Sequence, residues 1–257
     1  RFAAQGSSLE GRFPGDLSIV VASDDTFGPS SLLLNTVTPI EGLIELVAAF
    51  GSPGALLQLP ESGMTLAPRG VLRVKPGAGL SEIRGPLAVE GLLDVQGSAR
   101  WATSAEALTN RGKIRLPFGG RLQVSAPLVQ AGGTLQVEGG ELVLSQGLSL
   151  EGGTLIAAGI LSGHLTNGAL AVVDQEQPGR VRGEWTQTSK GTLQVRVRET
   201  SVASDVALQV TGPLNLRGTL EVVLADGVLL SRGAVLRLVK ADSLNGWFER
   251  LVLPPLE

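Results

Sequence analysis

Along most of the chain, short runs of alternating apolar and polar residues follow a glycine, and the phrase returns at an almost constant step. Gly70 opens GVLRV, Gly91 GLLDV, Gly112 GKIRL, Gly133 GTLQV and Gly153 GTLIA, at spacings of 21, 21, 21 and 20 residues. The second residue after each glycine is Leu72, Leu93, Ile114, Leu135 or Leu155, and the fourth is Val74, Val95, Leu116, Val137 or Ala157. One side of every phrase is therefore apolar, the period-2 signature of a half-buried strand. Constant periods in this range mark stacked repeat units. A coil of ~21 residues holds about three short strands and their corners, so the pattern predicts an all-β fold, a parallel β-solenoid or β-helix.

The outward positions agree with this register. The third residue after the glycine is Arg73, Asp94, Arg115 and Gln136 in successive phrases. Coils stacked about 4.8 Å apart place Asp94 between two arginines, a favourable cross-strand arrangement. A slip of one residue would bury those charges. Further apolar pairs in PLAV (86–89), RLQV (121–124), ELVL (141–144) and LSL (148–150) supply the other sides of each coil. Gly-Thr-Leu recurs at 133–135 and 153–155. A corner calls for a glycine tolerant of positive φ, and a β-branched residue beside a leucine makes a good strand.

Outside this middle stretch the pattern changes. TPIEGLIELVAAFG (38–51) has Thr38 as an N-cap, Pro39 at the first helical position, Glu41 three residues after the cap and Gly51 as a stop. Ile40, Leu43, Ile44, Val47 and Phe50 would share one face, which predicts a short helix over about 39–50. Laid across the end of a solenoid, it would block pairing of the open strand edges. After Asp174 the glycine period breaks at DQEQPGRVRGEW (174–185), and longer strand-like runs follow, among them GTLQVRVR (191–198) and WFERLVLP (247–254). Three segments result. Residues 1–63 form an N-terminal cap region, 64–173 the regular coils, and 174–257 a C-terminal β region that continues or caps the solenoid.

Composition narrows the function classes. The 257 residues are 43% hydrophobic but only 4% aromatic, so the core must be aliphatic. The absence of cysteine removes disulfides and thiolate metal sites. A formal charge of −3 disfavours nucleic acid and anionic lipid as partners. No apolar run reaches the roughly 18 residues of a spanning helix. The opening RFAAQGSS suggests a mature or trimmed piece of a longer chain.

Candidate chemistry is sparse. His164 is the one histidine and reads as a solvated corner residue, because a triad or metal site needs partners that the spacing does not provide. Glu138 with Glu141, or Asp174 with Glu176, would be the carboxylate pairs of a glycosidase, but scattered surface acids are the more ordinary reading. Ser23, Asp24 and Asp25 offer oxygen ligands without a calcium-binding repeat. The sequence thus points to no catalytic residue, cofactor or metal. Candidate contact surfaces are two basic strips, Arg111, Lys113 and Arg115 with Arg196 and Arg198, the latter pair preceded by Arg180 and Arg182. Such alternation would grip a polyanion or an acidic glycan, or simply solvate a strand face. Trp101 and Trp185 are read either as sugar platforms or as corner packing, and Trp247 likewise.

GEWTQTSKGTLQVRV with SDVALQVTGPLNLRGTLEVVL and GAVLRLVKADSLNGWFERLVLP resembles the closing segment of bacterial surface β-solenoid proteins of the autotransporter-passenger and repeat-adhesin kind. The preceding LSLEGGTLIAAGILSGHLTNGALAVV is similar to their last coils, and the resemblance covers about residues 71–254. It implies export and an extracellular or cell-surface place. The expectation is a non-enzymatic structural or adhesive segment, a rigid rod with an interaction surface. Protein or glycan partners and self-assembly through the coil ends fit that role. The alternatives are a carbohydrate-binding or carbohydrate-active β-helix, and a subunit of a filament, pilus tip or fibre.

Overall fold

A computed structural model describes residues 6–23, 28–36, 38–49, 54–103, 107–198, 206–228, 233 and 235–254. Its strands form a single parallel β-solenoid with three faces. The first face descends from Ser18–Ser23 through Leu43–Ala48, Val71–Val74, Leu92–Val95 and Lys113–Leu116 to Thr219–Leu224 and Arg250–Val252, by ten successive parallel pairings. The second begins at Ser7–Leu9 and runs through Leu80–Arg84, Ser98–Ala102 and Arg121–Val124 to the first half of Val239–Gly246. The third comprises Met64–Leu66, Leu87–Val89, Leu108–Asn110 and their successors, with Phe13 and Ile40 bridged above Leu66. Thr134–Leu144 and Thr154–Ser162 turn the corner between the first two faces as continuous strands.

The pairing register explains the core. Leu72, Leu93, Ile114, Leu135 and Leu155 stack as one column, and each is fully buried. Every such leucine contributes about 1.5–3 kcal/mol by leaving water. The same ladders continue without a break beyond Asp174, since Leu170–Asp174 pairs with Thr192–Val197 and that strand with Thr219–Leu224.

The helix expected over about 39–50 is not formed; among the described residues there is no helix at all. Leu43–Ala48 is a strand of the first face, paired with Ser18–Ser23 above and Val71–Val74 below. Phe50 and Gly51, the last turn and stop of the expected helix, lie outside the described residues. Gly42-Leu43-Ile44-Glu45-Leu46 is in fact another copy of the repeated phrase, 28 residues above Gly70 instead of 21. Ile44 and Leu46 point inward and are fully buried, while Glu45 pairs in register with Arg73. Two exposed strand edges in need of partners outweigh a local capping signal, because tertiary pairing supplies more hydrogen bonds than one isolated helix of three turns.

The glycines recur for two reasons, not one. Gly133 has φ +58° and Gly153 φ +67°, as a positive-φ corner requires. Gly91 does not; its constraint is space, since a Cβ there would stand 2.2 Å from the carbonyl oxygens of both Ala67 and Gly70. The corner of one coil lies directly on the corner of the next, and only a residue without a side chain fits between.

Candidate interaction surface

The outward column of the first face is a ladder of alternating charge. Glu45, Arg73, Asp94 and Arg115 succeed one another in register. Arg73 reaches up to Glu45 at 3.0 Å and down to Asp94 at 3.3 Å. Arg115 lies 3.9 Å from Asp94 and 3.8 Å from Glu138. Asp94 therefore sits between two arginines, as its place in the repeat predicted, and its side chain is only 3% exposed. It also accepts a 2.7 Å hydrogen bond from Gln96 Nε2.

Asp94 is buried but Arg73 and Arg115 reach solvent, so breaking the ladder costs less than the ~3–5 kcal/mol of a fully buried pair. We expect Asp94→Ala to lower the unfolding free energy by about 2 kcal/mol, read by urea denaturation. Arg73→Ala combined with it should cost less than the two single changes together, because the pair is coupled.

The predicted site residues are not brought together. Trp101 and Trp185 are fully buried, which rules out their proposed place on a ligand surface. Trp101 stands in the inward column of the second face between Ile83 and Val124, and its indole N–H donates to the carbonyl of Gly85 at 3.1 Å. Trp185 stands in the third-face column between Leu165 and Leu214 and donates to Gln187 Oε1 at 3.4 Å. Large rings are drawn inward because the small aliphatic columns leave no other residue to fill their width. Trp247, by contrast, is 78% exposed.

The basic strips are also dispersed. Lys113 and Arg196 share the first face but stand four coils apart, about 19 Å along the axis. Arg111 sits at the corner just before Lys113 and is exposed. Arg115 belongs to the charge ladder and is not a free cation. Arg198 holds Asp174 at 2.9 Å and Glu176 at 3.1 Å, and that hydrogen bond to Asp174 pushes the guanidinium pKa further up. Arg180 and Arg182 lie on the second face, where Arg182 is 3.6 Å from Glu141.

The carboxylate pairs are each tied to arginine. Glu141 binds Arg121 at 3.0 Å, and Asp174 and Glu176 share Arg198. His164 is largely exposed, with Nδ1 3.5 Å from Glu184. Asp24 and Asp25 lie outside the described residues. Among the described residues no cluster of three or more acidic, histidine or cysteine side chains forms a metal cage.

A comparison with family models, curated proteins and solved structures finds no match for this chain. No relative or family model therefore bears on the resemblance drawn from the sequence motifs.

Two features were missed in the sequence. The first is an internal polar staple. Leu-Thr-Asn occurs at 108–110 and again at 165–167, and both asparagines are fully buried. Asn110 Nδ2 donates to Gln130 Oε1 at 2.7 Å and to the Thr134 carbonyl at 3.2 Å, while its Oδ1 accepts from the Gly112 N–H at 3.1 Å. Asn167 repeats the arrangement with Gln187, Thr192 and Ala169. Each staple satisfies backbone groups at the corner and links two successive coils. The repeated tripeptide was the available signal.

The second is a shallow groove of about 420 Å³ along the corner between the first and second faces. Gly139 and Gly159 form its bare floor, Phe118 and Pro178 its walls, and Glu138, Gln177 and Arg180 its polar rim. Phe118 is 89% exposed, and its ring covers Gly139 so closely that a Cβ there would lie 3.1 Å from it. Nothing in the local sequence distinguished this phenylalanine from a core residue.

Proposed function

We propose that the chain is a non-enzymatic structural segment of an extracellular or cell-surface protein, a rigid spacer whose outer faces present an interaction surface. The observation that carries this reading is the continuity of the three parallel ladders through all the coils, with aliphatic columns inside and ion pairs outside. Continuous pairing makes bending costly, since tilting one coil strains every hydrogen bond at its edge. The exposed basic pair Arg111 and Lys113, two residues apart at one corner, is the surface that suits an acidic glycan or protein.

The test is binding to immobilised panels of glycans and extracellular proteins. Saturable binding, weakened at least tenfold by Arg111→Glu with Lys113→Glu, supports the reading. Release of shortened products from any offered glycan would overturn its non-enzymatic part.

A carbohydrate-binding β-helix is the second reading, favoured by the corner groove, where an exposed ring lies beside a carboxylate, an amide and a guanidinium. For that reading Phe118→Ala, which removes no buried contact of the core, should abolish glycan binding without changing the thermal midpoint.

A further inference from the structure

We propose that the corner groove binds a carboxylated sugar, its ring laid against Phe118 and its carboxylate held by Arg180. The inference rests on the second, carbohydrate-binding reading and adds the class of sugar and the residue that selects it. The recess has a cause in the coil lengths. Between the buried side chains that bound this corner stand five residues at Leu116 and Leu122, four at Val137 and Leu142, three at Ala157 and Leu161, and seven at Val173 and Val181. The corner thus contracts over successive coils and then widens, and the two shortest place Gly139 and Gly159 on the floor. Phe118 above and Pro178 below are three coils apart, about 14 Å along the axis. The Gly120 N–H donates to the Pro117 carbonyl at 2.9 Å and Gly119 has φ +81°, so Phe118 takes the first central position of a tight turn that carries its ring outward. An aromatic ring so exposed contributes little to the core, and its negative face is open to the polarised C–H groups of a sugar ring.

The charges on the rim select an anionic ligand. Arg180 is exposed, and among the described residues no carboxylate pairs with it. Its ladder neighbours are Ile160 above and Gln209 below, while Arg182 beside it takes Glu141. The other charge is already countered, since Glu138 accepts from Gln136 and lies 3.8 Å from Arg115. The groove therefore holds one uncommitted guanidinium, which binds a carboxylate through two parallel N–H bonds. Glu138 and Gln177 then serve the sugar hydroxyls as acceptor and amide. A peptide strand fits less well, because the floor strands Thr134–Leu144 and Thr154–Ser162 are paired with coils above and below and leave no edge for strand addition. The volume of about 420 Å³ lies within the range of small-ligand sites, about 300–1,000 Å³.

Titration calorimetry of the intact chain tests this, with a galacturonate oligomer and sialyllactose as probes, each beside its own methyl ester, at physiological salt. The expected result is that at least one acid binds about tenfold or more tightly than its ester. Arg180→Gln should bring the affinity for that acid down to that of the ester and leave the ester unaffected. Phe118→Ala should abolish binding of both. Neither side chain is part of the core, so both variants should keep the thermal midpoint. Arg111→Glu with Lys113→Glu, at the corner between the third and first faces, should leave this binding unchanged.

Equal affinity for acid and ester, or binding of neutral glycans with both acids refused, would overturn the carboxylate assignment and leave the carbohydrate-binding reading standing. Loss of acid binding in Arg111→Glu with Lys113→Glu but not in Arg180→Gln would overturn it too, by moving the ligand to the other corner. If no glycan binds, acidic or neutral, that reading falls together with the inference.

Discussion

Replacing Trp185 by alanine should lower the unfolding free energy by about 3–5 kcal/mol, the cost of removing a large buried ring from a packed core. The ring is fully buried in a column of leucines, where coils above and below hold it at fixed spacing, so the walls have little freedom to collapse into the void. The loss also removes the indole N–H that donates to Gln187 Oε1 inside the solenoid. Urea denaturation followed by circular dichroism measures the effect. Trp247→Ala is the internal control. Being 78% exposed, it should change stability by less than about 0.5 kcal/mol. Equal effects of the two would mean that Trp185 is not enclosed by successive coils.

The second large effect belongs to a glycine. At Gly133 an alanine would bring its Cβ 1.9 Å from the Gly112 carbonyl oxygen and 2.5 Å from that of Arg111, at a φ of +58°. Backbone strain alone is worth ~1–3 kcal/mol, and the collision with the coil above adds to it. Gly133→Ala should therefore cost more than that range or prevent folding. Gly119 separates the two contributions, because its φ is +81° but a Cβ there would meet nothing within 4 Å. Gly119→Ala should show the strain alone, about 1 kcal/mol. Gly91→Ala has the collision without the positive φ and should fall between them. Thermal melting of the three variants gives the order, and a Gly119 variant as damaging as Gly133 would contradict close stacking of the corners.

Those same glycines show what could be read in advance. The 21-residue step, the inward leucine columns and the place of Asp94 between Arg73 and Arg115 were all legible, because a β-coil repeats its geometry and the pattern of residues must repeat with it. Leu43–Ala48 was misread for a physical reason. Its coil is longer by seven residues, and its outward side is itself partly apolar at Leu43 and Val47, so alternation was masked while Thr-Pro-x-Glu supplied a plausible helix start. Trp185 carried a usable sign. It begins Trp-Thr-Gln where the preceding coil has Leu-Thr-Asn, so the register alone assigns it to the leucine column. The corner groove had no such sign, since the exposure of Phe118 depends on which neighbours pack against it and not on the residue itself.

A distance between two coils tests the central claim most directly. Eleven rungs stand only about 50 Å tall. That is close to the breadth of any compact domain of 257 residues, whose radius of gyration is about 18 Å, so overall shape discriminates poorly. The chain has no cysteine, so Ser18→Cys and Thr219→Cys can each carry a spin label at a unique site. Nine parallel pairings separate these two positions along the first face. At about 4.8 Å per coil, a rigid solenoid predicts one narrow dipolar distance distribution centred near 43 Å. A broad distribution, or one centred below about 30 Å, would contradict the stacked coils on which the account depends.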